Sequence, residues 1–463
     1  MYKGSSAISR RSVLEGGAAL GLTLGLGPYG AAVAAEDPKA PIPFFSTETY
    51  KPVVALINEW IAEFKASGGS EIELTSTGTG VSRGEILIRK FQLREEIGVF
   101  ELEDSYLEDW ARQGLLEPLD DIYEELGKNY FIDQTSFRSS YDGHIYGLPT
   151  QLNPAVTYYR TDLFKQRGLK PPTNIDELIE VSKALTVDKQ FGIGLALGPN
   201  AASTTALFPA INQAGGDYFD RQGNVTFGSP AVRSGLMKYL ELLKYTPSGN
   251  ATWGYNDVLN SYLGGGVAMM HSPASYILTM TRDFPDLVKN TAILDISPFG
   301  GPLNGQTAWG RWQELAISKN TKNMSGAKKF LKFLLAQKNR TKWITTTPGL
   351  VSPVKAANED ALKVSDYADQ YGRLVKPAFA AGEVAVTAIR NMGSVAGGTF
   401  KKSPVTCPWA ATVWGSAPID VAMLQSVHSK SATFDEAWGK AVTAMQQASA
   451  AWKSKNPDWK PPI

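Results

Sequence analysis

Apolar residues recur along this chain with two different periods, and the switches between those periods outline its elements. Val53, Leu56, Ile57, Trp60, Ile61 and Phe64 repeat at helical spacing behind Pro52, which is placed to start a helix. Ahead of them Ile42-Pro43-Phe44-Phe45 is a short apolar strand candidate. Behind them Ile72 and Leu74 alternate with Glu71 and Glu73, as in a half-buried strand. Further helices open on capping signals: Thr173-x-x-Asp176 behind Pro171-Pro172, and Thr433-x-x-Glu436 ahead of Trp438, Ala441, Val442, Met445 and Trp452. Ser229-Pro230 precedes Val232, Leu236, Leu240 and Leu243, and Ser325 precedes Ala327, Phe330, Leu331 and Leu334. Strand-like runs at 191–197, 267–270 and 314–318 lie between the helices. This alternation predicts an α/β architecture with mostly parallel sheets.

Composition narrows the chemistry. A chain of 463 residues has room for two large lobes, and 43% hydrophobic residues fill packed cores, which excludes wholesale disorder. With 46 basic against 45 acidic residues there is no basic field for a phosphate backbone, so no nucleic-acid partner is expected. The single cysteine, Cys407, permits no internal disulfide, CxxC redox pair or thiolate zinc cage. His144, His271 and His428 are too scattered for metal-ligand spacing, so neither metal nor cofactor is expected. Eleven Trp, eighteen Tyr and nineteen Phe leave recognition by aromatic surfaces as the open possibility.

The N-terminus reads as an address. Ser9-Arg10-Arg11-Ser12-Val13-Leu14 precedes a Gly-rich apolar stretch and the small residues Ala32-Val33-Ala34, as in a cleaved secretory signal over residues 1–34. The pair Arg10-Arg11 resembles the twin-arginine export signal, with Val13 and Glu15 in place of the usual Phe and Lys. A membrane anchor fits less well, because the glycines keep the stretch below the apolar content of a span. Cleavage near Ala34 leaves 43 basic and 44 acidic residues and a protein outside the inner membrane.

Catalytic signatures are sparse. Gly78-x-Gly80-x-x-x-Gly84 misses dinucleotide-loop spacing and reads as a flexible strand-to-helix turn; no Walker phosphate loop and no G-x-S-x-G elbow occurs. Carboxylate pairs such as Glu103-Asp104 and Asp120-Asp121 are too common in an acid-rich chain to signify by themselves.

Six segments, taken in order, carry a resemblance. Trp110 through Gly114 to Pro118-Leu119-Asp120, the run Asp142-Gly143-His144-Ile145-Tyr146-Gly147-Leu148-Pro149, and Tyr158-Tyr159-Arg160-Thr161-Asp162-Leu163-Phe164 with Gly168 and Pro171-Pro172-Thr173 come first. Asn212-Gln213-Ala214-Gly215-Gly216, Gly264 to Met270, and Glu314-Leu315-Ala316-Ile317-Ser318 follow. Over about residues 42–450 the chain resembles the bacterial extracellular solute-binding proteins, family 1, in the carbohydrate class of maltose-binding-protein type. His144, Arg160 and Ile175 depart from the usual Lys, Asn and Trp of that pattern.

The resemblance implies an α/β two-lobe periplasmic-binding-protein fold with a ligand cleft and three crossings, placed near Pro149, Ala268 and Ile317. The first lobe would be 41–150 plus 268–316, and the second 151–267 plus 317–463. It implies a monomeric periplasmic receptor that hands a carbohydrate or polyol to an inner-membrane permease and ATPase. A secreted polysaccharide hydrolase or lyase is the rival reading. A sugar site needs rings for C–H faces and polar side chains for hydroxyls. The expected ligand-binding residues are Glu48, Tyr50, Thr79, Asp104, Asn153, Trp253, Tyr255, Ser272, Tyr276, Trp309, Arg311 and Trp312, with Asp257, His271 and Glu314 beside them. Trp60, Trp438 and Trp452 are expected to pack cores, from their helical spacing. Within the less family-like stretch 355–430, Trp409 and Trp414 have no expected place.

Overall fold

The short apolar runs become strands, and a computed structural model describes residues 36–460 apart from 77–80, 104–106, 108–109, 128, 133–138, 221, 387–406 and 415–417. The arginine pair, the cleavage region, Thr79 and Asp104 lie outside the described residues. The strands are β1 Ile42–Ser46, β2 Ile72–Ser76, β3 Val99–Glu103, β4 Ser140–Tyr141, β5 His144–Ile145, β6 Leu148–Arg160, β7 Phe191–Gly194, β8 Val267–Pro273, β9 Thr291–Ile293, β10 Ala308–Ile317 and β11 Ala385–Val386. One sheet has the order β2-β1-β3-β10-β6-β8-β7, with β9 on β6 and β11 on β10; β4 and β5 pair separately.

Two strands are much longer than the rest, and they organise the molecule. The first part of β6 pairs with β10 up to Pro154, and from Ala155 onward β6 pairs with β8. The strand β10 pairs with β3 over Gln313–Ile317 and with β6 back to Gly310. Each therefore runs out of one set of strands and into the other. Thr150 is a bulge, since Gln313 faces Gln151 while Glu314 faces Pro149.

The helices that cover the sheet carry the predicted apolar stripes. Helix α1, Lys51–Ala66, starts with a proline in its first turn and buries Val53, Leu56, Ile57, Trp60 and Phe64. Helix α2 is Thr204–Gln213, α3 Met324–Leu335, α4 Gln337–Thr346 and α5 Ser365–Glu383. Ser229 caps the helix Pro230–Leu243, and Thr433 with Glu436 forms the capping box of Phe434–Lys455. The caps of two other helices shift by a residue or two, to Asn174 and Asn323.

Packing joins segments far apart in the sequence. Helices α3 and α4 lie on α1 and β1: Phe330 meets Phe44 at 5.3 Å and Phe64 at 5.1 Å between centroids, and Trp343 stacks on Trp60 at 5.9 Å. Residues 324–346 thus pack directly on the N-terminal strands and α1. Conversely β8 pairs with β7 and the second half of β6, and β9 joins the same group. Ala268, near which a crossing was expected, sits inside β8 with a strand on either side. A doubly buried apolar strand such as Val267–Met270 shows no alternation, so its pattern does not say which strands flank it.

A second core gathers the Tyr218 region, the helix Pro230–Leu243 and the C-terminal helices. It takes in Trp409, 0% exposed, with Trp414 packed against it. Asp420, also 0% exposed, accepts from the Tyr218 hydroxyl at 2.6 Å and the Trp414 indole at 3.2 Å. The two unplaced tryptophans pack residues 407–414 and 418–428 on that core. Trp438 packs on the same core, half-buried, and so does Trp452.

Candidate functional site

The two long strands present one polar face where they pair. Residues two apart on a strand share a face, so Gln151 and Asn153 of β6 stand beside Gln313 and Arg311 of β10, their register partners. Gln151, Asn153 and Gln313 are half-buried and Arg311 is exposed, whereas Leu152 and Trp312, paired on the opposite face, are 0% and 1% exposed. The amides form a chain. Gln151 Nε2 donates to Gln313 Oε1 and to Glu48 Oε1 at 3.4 Å, and Gln151 Oε1 accepts from Trp343 Nε1 at 2.9 Å.

Across the face, Asn153 reaches the other strand group. Its Nδ2 donates to Ser275 Oγ at 3.0 Å and its Oδ1 accepts from Ser275 N at 3.1 Å. Ser275 precedes the helix Tyr276–Asp283, so this pair of bonds sets where Tyr276 begins. Burial pushes the Tyr276 phenol up to about 12. The Tyr255 ring lies 6.5 Å from Trp309, and its hydroxyl donates to Ala201 O at 3.2 Å. Burial raises that phenol as well, and the charge of Arg311 opposes the rise, which places Arg311 within electrostatic reach of Tyr255. Glu48, Asn153, Tyr255, Tyr276, Trp309 and Arg311 are thus brought together. The arrangement offers amide, guanidinium, phenol and carboxylate groups to hydroxyls on a ligand.

Other expected residues are used elsewhere. Trp312 is a core ring on the opposite face, and Trp309, although it shares the face of Arg311, is 7% exposed beside Tyr255 and presents little open ring. Gly310 sits mid-strand, where a Cβ would lie 2.7 Å from Leu152 Cδ1 and 2.8 Å from Ala385 Cβ. Ser272 is 2% exposed inside β8, opposite Val156. Glu314, 0% exposed, accepts from Ser139 Oγ at 2.8 Å. Asp257 caps its own helix by accepting from Gly254 N at 2.8 Å. Trp253 is half-buried; its carbonyl accepts from Gly198 N and Asn200 Nδ2. The Tyr50 ring lies 5.9 Å from the Arg282 guanidinium at the start of α1. Gln151, Gln313 and Ser275 were not anticipated, although alternation of polar residues along 149–153 and 309–313 marks the first two.

His271 is buried between Thr157 Oγ1 at 2.9 Å and Thr205 O at 3.1 Å. Desolvation lowers its pKa from 6.5 to about 3, against an upward pull from the Thr205 carbonyl, so the ring is neutral and structural. The unfolded chain takes up this proton first. His271 therefore stabilises the fold fully above pH 6.5, and that contribution is lost as pH falls toward 3. Stability should fall by up to about 1.4 kcal/mol per pH unit from this group, and His271→Gln should flatten the slope in urea unfolding between pH 7 and 4. Equal slopes for parent and variant would contradict the assignment.

A two-group α/β fold, joined by long strands that expose a polar face, defines a two-lobe binding protein. The chain belongs to the bacterial extracellular solute-binding protein family, whose model matches residues 47–341. It is similar to a binding protein by name in Brucella abortus (strain 2308), 27% identical over 243 residues, 51% of this chain and 58% of that relative. It thus spans under two thirds of the length of that curated relative. It is also similar to the mannitol-binding protein of Pseudomonas aeruginosa, 28% identical over 166 residues, 35% of this chain and 38% of the relative. In fold it matches a solute-binding protein of Agrobacterium radiobacter K84 in complex with ribitol, with TM-score 0.67, 18% identity, and coverage of 89% of this chain and 99% of the other.

Proposed function

We propose that this protein is the substrate-binding receptor of an ATP-driven importer, and that it captures a small neutral polyol or monosaccharide for a membrane permease and its ATPase. The observation that carries the ligand class is the polar face itself. It offers Gln151, Asn153, Gln313, Arg311, Glu48 and the two tyrosines, while Trp312 lies on the opposite face and Trp309, beside Tyr255, is only 7% exposed. Such a surface suits a short chain of hydroxyls better than a stacked oligosaccharide. The name of the Pseudomonas relative points the same way. In this reading the lobes are 41–150 with 317–361, and 155–310 with 365–460; they close on the ligand about β6 and β10, and the ligand leaves chemically unchanged.

A thermal-shift panel of mannitol, ribitol, galactose and maltose tests the class. A ligand at about 100 times its Kd adds roughly 2.7 kcal/mol of stability, so a true ligand gives a clear shift. A response to maltose alone would overturn the small-ligand reading.

Export by the twin-arginine route before cleavage near Ala34 belongs to the same proposal. Changing Arg10-Arg11 to Lys-Lys should hold the protein in the cytoplasm, because the translocation machinery reads the arginine pair. Normal periplasmic yield from that variant, measured by fractionation, would sink the route.

A further inference from the structure

Beside the polar face, and bonded to its Gln313 amide, lies a layer of buried charge. Glu101 stands at the middle of β3 and is 5% exposed. One carboxylate oxygen accepts from Ser46 Oγ at 3.1 Å; the other accepts from Thr47 N at 2.5 Å, from Thr47 Oγ1, and from Gln313 Nε2 at 2.7 Å. These bonds fix the two residues before Glu48 and the amide that binds Gln151. On the far side Arg340 of α4, 2% exposed, lies 5.2 Å from the Trp60 ring and 5.1 Å from the Trp343 ring, and Nη1 donates to Thr150 O at 3.3 Å. Thr150 is the bulge residue of β6. A cavity of about 10 Å³ is lined by Glu101, Arg340, Thr150 and both tryptophans, and Arg340 Nε has no protein partner. Burial draws the Arg340 guanidinium down to about 10, and the charge of Glu101 opposes that fall.

We propose that Glu101 and Arg340 are positioning residues for the ligand: one anchors Thr47 and Gln313, the other holds the Thr150 bulge and Trp343, and together they set the Gln151–Gln313 amide pair. A bare core could not do this, because an amide on a strand face has several rotamers of similar energy until its partners fix one. An acceptor-only carboxylate collects donors without ambiguity, whereas a glutamine there would turn an NH₂ toward other donors. The proposal rests on the receptor reading above, but one of its readouts does not need a ligand.

The test compares the parent mature protein with Glu101→Gln and with Thr47→Val, a milder change that removes one donor. The first readout is D-mannitol or ribitol affinity by calorimetry, whichever shifts the parent more. The second is the Trp343 indole N–H resonance, assigned by Trp343→Phe, since that N–H donates to Gln151. Folded Glu101→Gln should bind about tenfold or more weakly and shift the indole resonance, and Gln151→Ala added to it should cost little more affinity. Unchanged affinity, an unmoved resonance, or fully additive losses would overturn the relay. If Glu101→Gln does not fold, Thr47→Val decides on the same readouts. If the parent binds no polyol, the ligand reading falls, and the resonance alone still decides the positioning claim.

Discussion

Trp312→Ala is expected to lower the unfolding free energy by about 3–5 kcal/mol, the usual cost of removing a large ring from a packed core. Trp312 is 1% exposed and lies opposite Leu152 in the pairing of β10 with β6, in one core cluster with Val156, Tyr158 and Leu374. Deleting it opens a cavity under the two strands that pass between the groups, and neither strand can collapse to fill it. The folded fraction should retain most of its affinity, since the ring is not on the polar face. Urea unfolding gives the stability, and calorimetry on protein well below its unfolding midpoint gives the binding. A stable Trp312→Ala with weakened affinity would restore the ring to the ligand.

Asn153→Ala is expected to do the opposite: to weaken binding of the best polyol about 10- to 100-fold with a much smaller change in thermal stability. Asn153 is half-buried at the centre of the face, and both ends of its amide are committed to Ser275 across the two strand groups. Removing it costs the ligand a polar partner and frees the start of the Tyr276 helix. A buried hydrogen-bonding group is worth about 1–3 kcal/mol when its partner is left unmet, which corresponds to that range of affinity. Binding equal to the parent would remove Asn153 from the site.

These two residues also show what could be read from the sequence and what could not. Helical stripes such as Val53–Phe64 and caps such as Thr433-x-x-Glu436 are local, so they predict their elements well. The family resemblance rests on short ordered segments, and the α/β two-lobe class follows from them. Side-chain direction along β10 is different. Trp309, Arg311 and Trp312 all read as ligand-facing until strand pairing shows that 310 and 312 share the buried face. A one-residue shift in phase exchanges the two faces, and nothing local in an aromatic-rich strand fixes that phase. Long-range packing is illegible for a related reason. Phe330 and Trp343 find Phe44 and Trp60 across almost 300 residues, a contact that no local pattern encodes.

The central claim is that this chain binds a small hydroxylated solute at the β6–β10 face and returns it unchanged. Titration calorimetry of the mature protein against the best ligand of the panel, followed by recovery and analysis of that ligand, tests it most directly. The account predicts one saturable site and a ligand recovered intact. Absence of saturable heat with every neutral polyol and monosaccharide, or a recovered ligand that has been cleaved or rearranged, would contradict it.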